Sequence, residues 1–376
     1  MQSDKGSNTE LDMRELRRGS HPGDRYARVT HDFRFRRVGR DHLSVTPRAE
    51  EPTTAWGRLQ RVLIGSPIES AREVHERLTK VKALAVFGSD NISSTAYATE
   101  EIMRILLLGG LAAVATWTLP LTIAVIVVLV IVVTSYQQTI RAYPKGASAY
   151  IVASSELGRL PGLTAAASLL NDYVLTVSVS IAAGVAALGS LAVVFYQHRV
   201  LTGVLLITLM AVGNLRGIRE SGSIFSAPTY IYILSLLGLL GYGLYAYLAN
   251  SLPTYTQPAE WIDEWQSEGG QVLGLLLILR AFASGSVGLS GTEAISDGVP
   301  AFKAPEDRNA RVTLIWMAST FGVLFLGISF LASRLHIIPD PHEAETLLSQ
   351  LTRTLVGTGP YYLLVQIATA LVLVLA

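Results

Sequence analysis

FGSDNISSTAYATEE, residues 87–101, runs straight into the apolar IMRILLLGGLAAVATW at 102–117. A segment about to enter lipid here carries an aspartate, two glutamates, a glycine and a run of hydroxyls. Each carboxylate at mid-bilayer costs about 2.5–3.5 kcal/mol on insertion scales. Oxygen atoms must therefore be wanted at that depth. How the stretch is read, as a loop before a helix or as an interruption within one, decides the fold.

Composition supports the second reading. Half of the 376 residues are hydrophobic and 16% are charged, and the mean hydropathy is +0.40, values expected of a membrane bundle. The formal net charge of +1 hides an arginine-rich head followed by nearly uncharged runs, so the total says nothing about partners, and no feature points to nucleic acid. Cysteine is absent, which excludes disulfides and thiol chemistry, and the histidines show no paired metal spacing. Residues 1–56 lack an apolar core and read as a disordered cytoplasmic arm rather than a cleaved signal peptide. No cofactor is expected, and an enzyme finds no support, there being neither a nucleophile–base pair nor a phosphate loop.

Residues 105–133 carry no charge, which is too long a run for one crossing of about 20 residues and too short for two. The cluster TWTLP at 116–120 offers an interfacial tryptophan and a helix-starting proline, so the first span is expected to end near Ala112 and the second to begin near Leu119. The first must then reach back through the opening stretch to about Ala83. Further spans are expected at 162–197, 200–215, 224–249, 271–302 and 312–333, with an eighth from Pro360 cut off by the chain end.

Lysines and arginines flank these spans unevenly. Arg72, Arg77, Lys80, Lys82, Arg141, Lys145, Arg159, Arg216, Arg219, Lys303, Arg308 and Arg311 fall on one side if eight spans are correct. Residues 250–270 on the other side hold Glu260, Asp263, Glu264 and Glu268 and no base. By the positive-inside rule the N-terminus is cytoplasmic, in a multi-pass protein of the cell membrane.

GSDNISS (88–94) in the first span and SGSVGLSG (284–291) in the sixth are rich in Gly and Ser, and each glycine weakens a helix by about 1 kcal/mol relative to alanine. Both stretches are expected to unwind. Four helices lie between them, so one span runs outward and the other inward, the arrangement of an inverted repeat whose broken helices meet at mid-membrane. Unwound backbone at that depth lines a cavity or is buried in protein. Asp90 lies in the first break, Glu293 follows the second, and Asp172, Tyr173, Thr176 and Ser180 lie on the third span, the last three on one helix face. Such oxygens suit a cation shedding its hydration shell. Glu100, Glu101 and Arg104 are spaced to neutralise one another. Asp297, one turn beyond Glu293, is expected in solvent, and Arg280 has no evident partner.

These residues sit in long phrases: HERLTKVKALAVFGSDNISSTAYATEEI, YPKGASAYIVASSELG, LLNDYVLTVSVSIAAGV, NLRGIRESG and RAFASGSVGLSGTEAISDGVPAFK. Together they resemble the amino acid, polyamine and organocation transporter superfamily, and within it the KimA-type potassium importers, over residues 57–376. The resemblance implies an all-α membrane fold, the LeuT-like five-plus-five inverted-repeat bundle, with the second repeat incomplete and the chain truncated in its eighth span. It implies that Asp90, Tyr97, Asp172, Tyr173, Thr176, Ser180 and Glu293 take part in potassium binding or its coupling to protons. Ser290, standing where the importers carry threonine, keeps the hydroxyl. Potassium ligands would come from Tyr97, Tyr173, Thr176, Ser180, Ser290 and Glu293.

The implied function is secondary active potassium import coupled to protons, within a lipid bilayer, and a homodimer is left open. The family's nucleotide-binding domain, which responds to cyclic di-AMP, has no counterpart in these phrases. Two other readings remain open. An amino-acid permease of the same superfamily would carry glycine where Asp90 stands, and a non-transporting membrane fragment or sensor would need no ion site.

Overall fold

The computed structural model describes residues 16–18, 25–27, 35–37, 43–45, 77–144, 146–215, 222–268 and 272–375. The chain divides into two units, residues 1–67 and 68–376. In the first, three-residue strands β1 (Leu16–Arg18) and β2 (Arg25–Ala27) pair antiparallel, as do β3 (Phe35–Arg37) and β4 (Leu43–Val45). The rest of the expected disordered arm lies outside the described residues, as do Arg72, Lys145, Arg216 and Arg219.

The second unit is helical. It opens with α1 (Lys80–Phe87), α2 (Ser89–Ser93), a 3-10 turn over Ser94–Ala96 and α3 (Ala98–Leu107). After these come α4 (Leu111–Ala142), α5 (Ala149–Glu156), α6 (Arg159–Leu191), α7 (Val193–Gln197), α8 (Arg199–Leu215) and α9 (Gly222–Leu248). Next are α10 (Ala259–Glu268), α11 (Leu275–Gly285), a 3-10 turn over Ser286–Leu289, α12 (Ala294–Asp297) and a last 3-10 turn over Val299–Ala301. The remainder is α13 (Glu306–Arg334), α14 (Leu347–Val356) and α15 (Pro360–Leu375).

Among the described residues five segments are long and apolar enough to cross a membrane: Leu111–Ala142, Arg159–Leu191, Ser226–Leu248, Leu275–Asp297 and Glu306–Arg334. Arg199–Val212 and Pro360–Leu375 are shorter apolar helices. Side chains such as Val130, Ile131, Val174, Leu175, Val200 and Leu276 are exposed, as suits a surface solvated by hydrocarbon.

The junction between the first two spans differs from expectation. The chain turns at Gly109–Gly110, where Gly110 takes φ +94, a backbone conformation open chiefly to glycine. TWTLP lies inside α4, with Pro120 in its helical run. Threonines there turn their hydroxyls onto the helix itself: Thr116 donates to the Ala112 carbonyl and Thr118 to that of Val114, both within 2.8 Å. Proline is tolerated in a membrane helix where neighbours re-satisfy the backbone groups it frees. The third span is also shorter than expected, since Ala192 adopts an extended backbone and separates α6 from α7.

Both broken helices are real but interrupted differently. In the first, α2 keeps helical backbone over most of the expected gap, and the 3-10 turn falls at its C-terminal end. Hydroxyls explain the shift: Ser93 and Ser94 both donate to the Asp90 carbonyl, and Thr95 donates to that of Ile92. Side chains that compete for backbone carbonyls weaken a regular helix. In the second, the helical run stops after Leu289, Gly291 takes φ +78 and α12 resumes at Ala294.

The two broken helices run antiparallel. Leu78, before α1, donates its N–H to the Ala301 carbonyl at 2.7 Å and accepts from Lys303 at 3.0 Å, so the first helix begins where the second ends. At the other end α3 packs against α11. Gly109 closes on Leu277 and Gly285 on Ile102, whose Cγ1 would lie 2.4 Å from a Cβ added at Gly285. Helix α13 packs along α4 and beside α9, burying Met317, Phe321 and Phe325 completely. A Gly285→Val substitution is expected to cost about 1–3 kcal/mol, the usual penalty for overpacking a close-packed contact, readable as a lower melting temperature of the purified protein.

Candidate functional site

The site forms where the interruptions meet. Asp90, in the second turn-forming position of α2, lies against Gly291: a Cβ added to that glycine would sit 2.3 Å from Asp90 Oδ2. Only a bare backbone lets the carboxylate approach so closely, and only glycine adopts φ +78 without strain. Asn91 beside it is fully buried and donates from Nδ2 to the Gly288 carbonyl at 2.9 Å, with Thr292 Oγ1 at 3.4 Å. The two breaks are thus joined by side chain to backbone across the bundle.

Helix α6 closes a third side. Thr176 Oγ1 and Ser290 Oγ are 2.8 Å apart and share a hydrogen bond, joining two of the expected residues directly. Ser180, one turn further along α6, is 2% exposed, and its hydroxyl has no protein partner. Tyr173 points elsewhere: its hydroxyl donates to Asp297 Oδ2 at 3.2 Å. Tyr97 is buried at the end of the first interruption, its hydroxyl 2.8 Å from Ser94 Oγ, and the expected residues on α6 do not bond to it.

Asp297 is therefore not simply solvated. It is partly buried, Tyr173 holds one of its oxygens, and the other, Oδ1, is buried without a partner. The same is true of Asp90 Oδ1, Asn91 Oδ1 and Glu293 Oε1. Buried polar atoms are ordinarily hydrogen-bonded, so several orphaned oxygens around one junction mark a place built for something that accepts them. Glu293 and Asp172 are acidic neighbours of Asp90, and Asp172 and Asp297 are acidic neighbours of Glu293.

Among the described residues no three acids or histidines converge closely enough to hold a metal by themselves. A cation seated here would draw on hydroxyl, carbonyl and amide oxygen beside carboxylate, the oxygen ligands of a hard cation.

A cavity of about 330 Å³ opens beside Tyr97 and continues along α3, lined among others by Glu101, Val287, Ala183, Glu345 and Thr369. Its wall is braced by the expected charge group. Arg104 bonds Glu100 Oε1 at 2.7 Å and the Asp340 carbonyl at 3.2 Å, while Glu100 Oε2 accepts the N–H of Leu347 at the start of α14. Neutralisation thus runs through Glu100, and Glu101 faces the cavity. Arg280 is exposed on α11.

Asn91, Gly291 and Thr292 were not among the expected site residues. Asn91 and Gly291 stand inside the two quoted interruptions, so their place was legible. Their partners were not, because the bonds join residues about two hundred positions apart.

Residues 78–376 match the family model described as amino acid permease. The chain is also 41% identical over 321 residues to the potassium transporter KimA of Bacillus subtilis (strain 168). That alignment covers 85% of this chain and 51% of the relative, so the chain spans about half the length of the curated relative it matches. Both are descriptions of transporters, not enzymes, and they agree with a multi-pass helical bundle built on two antiparallel broken helices. The chain belongs to the amino acid permease family, within the amino acid, polyamine and organocation transporter superfamily.

Proposed function

We propose that the protein imports potassium by secondary active transport coupled to protons. The observation that carries this reading is the set of orphaned buried oxygens at the junction of the breaks, with Asp90 seated on Gly291. Asp90 and Glu293 supply the negative field. Hydroxyls of Thr176, Ser180 and Ser290 replace part of the ion's water shell. Tyr97, bonded to Ser94, and Tyr173, bonded to Asp297, add phenol oxygens beside this set, and Asp172 adds charge from α6. Carboxylates crowded in this way relieve their repulsion either by binding a cation or by taking up a proton, which is the physical basis of coupling the two.

On this reading residues 57–376 form the transport domain and 1–56 a cytoplasmic arm. The cavity beside Tyr97 opens to the outside of the cell membrane. The relative's name, potassium transporter, supports the choice of ion. An amino-acid permease is the second reading, favoured by the family description. Against it stands Asp90, which occupies the position where such permeases carry glycine and whose carboxylate would repel that of an amino-acid substrate.

Expression of the protein in a bacterium lacking its own potassium uptake systems is expected to restore growth at low potassium. Rubidium uptake by the same cells should fall when a protonophore is added. Absence of rescue together with accumulation of a labelled amino acid would transfer the conclusion to the second reading.

A further inference from the structure

Asn91 is fully buried in the wall between the two interruptions, and the site reading gives it no task. Three residues of the second interruption surround its amide: the Gly288 carbonyl at 2.9 Å, Thr292 Oγ1 at 3.4 Å and the Ser290 carbonyl at 3.5 Å. On its other side the chain continues directly into Asp90. The carboxylate that packs on Gly291 and the amide that grips Gly288 and Thr292 therefore belong to consecutive residues, and between them they clasp the segment 288–292. Ser290, inside that clasp, meets Thr176 of α6.

We propose that Asn91 is a positioning residue that sets the size selectivity of the cation site, an inference that rests on the reading given under Proposed function. An ion is selected by the spacing and stiffness of the oxygens that replace its water. Here the spacing between the Asp90 side of the site and the Ser290 and Glu293 side is governed by one neutral bridge. The amide is suited to this work because it donates to Gly288 without adding charge. An aspartate at the same place would turn an oxygen towards that carbonyl and add another carboxylate to those that already repel one another. Asn91 Oδ1, buried and without a partner, leaves the amide free to shift only if its donor bonds are broken.

The test uses the whole chain purified in detergent. Thermal stabilisation is followed against potassium, rubidium and sodium chloride, with choline chloride as the ionic-strength control. A bound ion raises the melting temperature by mass action. The variants are Asn91→Ser and Asn91→Asp, and Thr292→Val, which keeps the shape while removing the acceptor at the far end of the bridge together with the hydroxyl's own bond to the Leu289 carbonyl. The ratio of half-saturating sodium to half-saturating potassium is expected to fall about five- to tenfold in the variants, the factor set by losing one hydrogen bond.

A lower melting temperature with that ratio unchanged would make Asn91 a structural staple and overturn the proposal. Should the Asn91 variants not accumulate, Thr292→Val decides by the same ratio. A wild-type chain that responds to no monovalent cation would overturn the potassium reading itself, and a wild type that responds while every variant keeps its ratio overturns only the role of Asn91.

Discussion

With the proposed potassium site, the double variant Asp90→Asn, Glu293→Gln is expected to lose potassium-dependent stabilisation almost completely, and each single variant to weaken it substantially. Each carboxylate lost removes a charge-assisted contact of about 1.5–3 kcal/mol, which is about 10- to 150-fold in affinity for each. Without potassium the direction reverses. Asp90 and Glu293 each keep a buried oxygen without a partner, and a buried charge without a partner is costly. Removing these charges relieves an unfavourable arrangement, so the double variant melts higher than the wild type in potassium-free buffer. A site that is unstable when empty is the usual cost of one organised for a ligand. Melting curves of both proteins, recorded with and without potassium, check the two halves separately. A double variant that melts lower in both buffers would show that the acids hold the fold and not the ion.

Glu100→Ala lowers stability by about 3–5 kcal/mol, the range for stripping one partner from a buried ion pair. Arg104 is left with its side chain 16% exposed and its main acceptor gone, since the side chain of Glu343, another acid in reach at 3.5 Å, is 59% exposed. An exposed pair of that kind adds at most about 1 kcal/mol. The same substitution removes the acceptor of the Leu347 N–H and so loosens the start of α14 from α3. Replacing both members, as Glu100→Ala with Arg104→Leu, is expected to recover much of the loss because no uncompensated charge remains. Tryptophan fluorescence during thermal unfolding reads both outcomes. Equal losses in the single and double variants would place the effect in the α14 contact rather than in the ion pair.

Much of this architecture was legible before any coordinates. An aspartate, a glycine and a run of hydroxyls leading straight into an apolar run read as an interrupted membrane helix, because backbone and carboxylate are too costly in lipid unless something receives them. A second stretch of like composition, five spans later, sets the relative direction of the two by counting alone. The oxygens of Thr176 and Ser180 share a face through helical spacing, which is local geometry and needs no partner. Membership in the permease family rests on long phrases of the same kind.

Tertiary structure decided the rest. Local propensity suggested that TWTLP ends a helix, yet the turn falls at Gly110, since a chain reverses where φ can become positive and a proline in lipid can be absorbed by its neighbours. Hydroxyl spacing could not show that Tyr173 reaches Asp297 instead of the breaks, or that Thr176 meets Ser290. Nor could composition reveal that Asn91 grips Gly288 and that Asp90 rests on Gly291. Sequence determined which segments enter the membrane and where they are interrupted, because transfer free energy and backbone preference act over a few neighbouring residues. Which oxygens face one another was settled only by packing, because those contacts join residues far apart in the chain and depend on how antiparallel helices set their rotation and height.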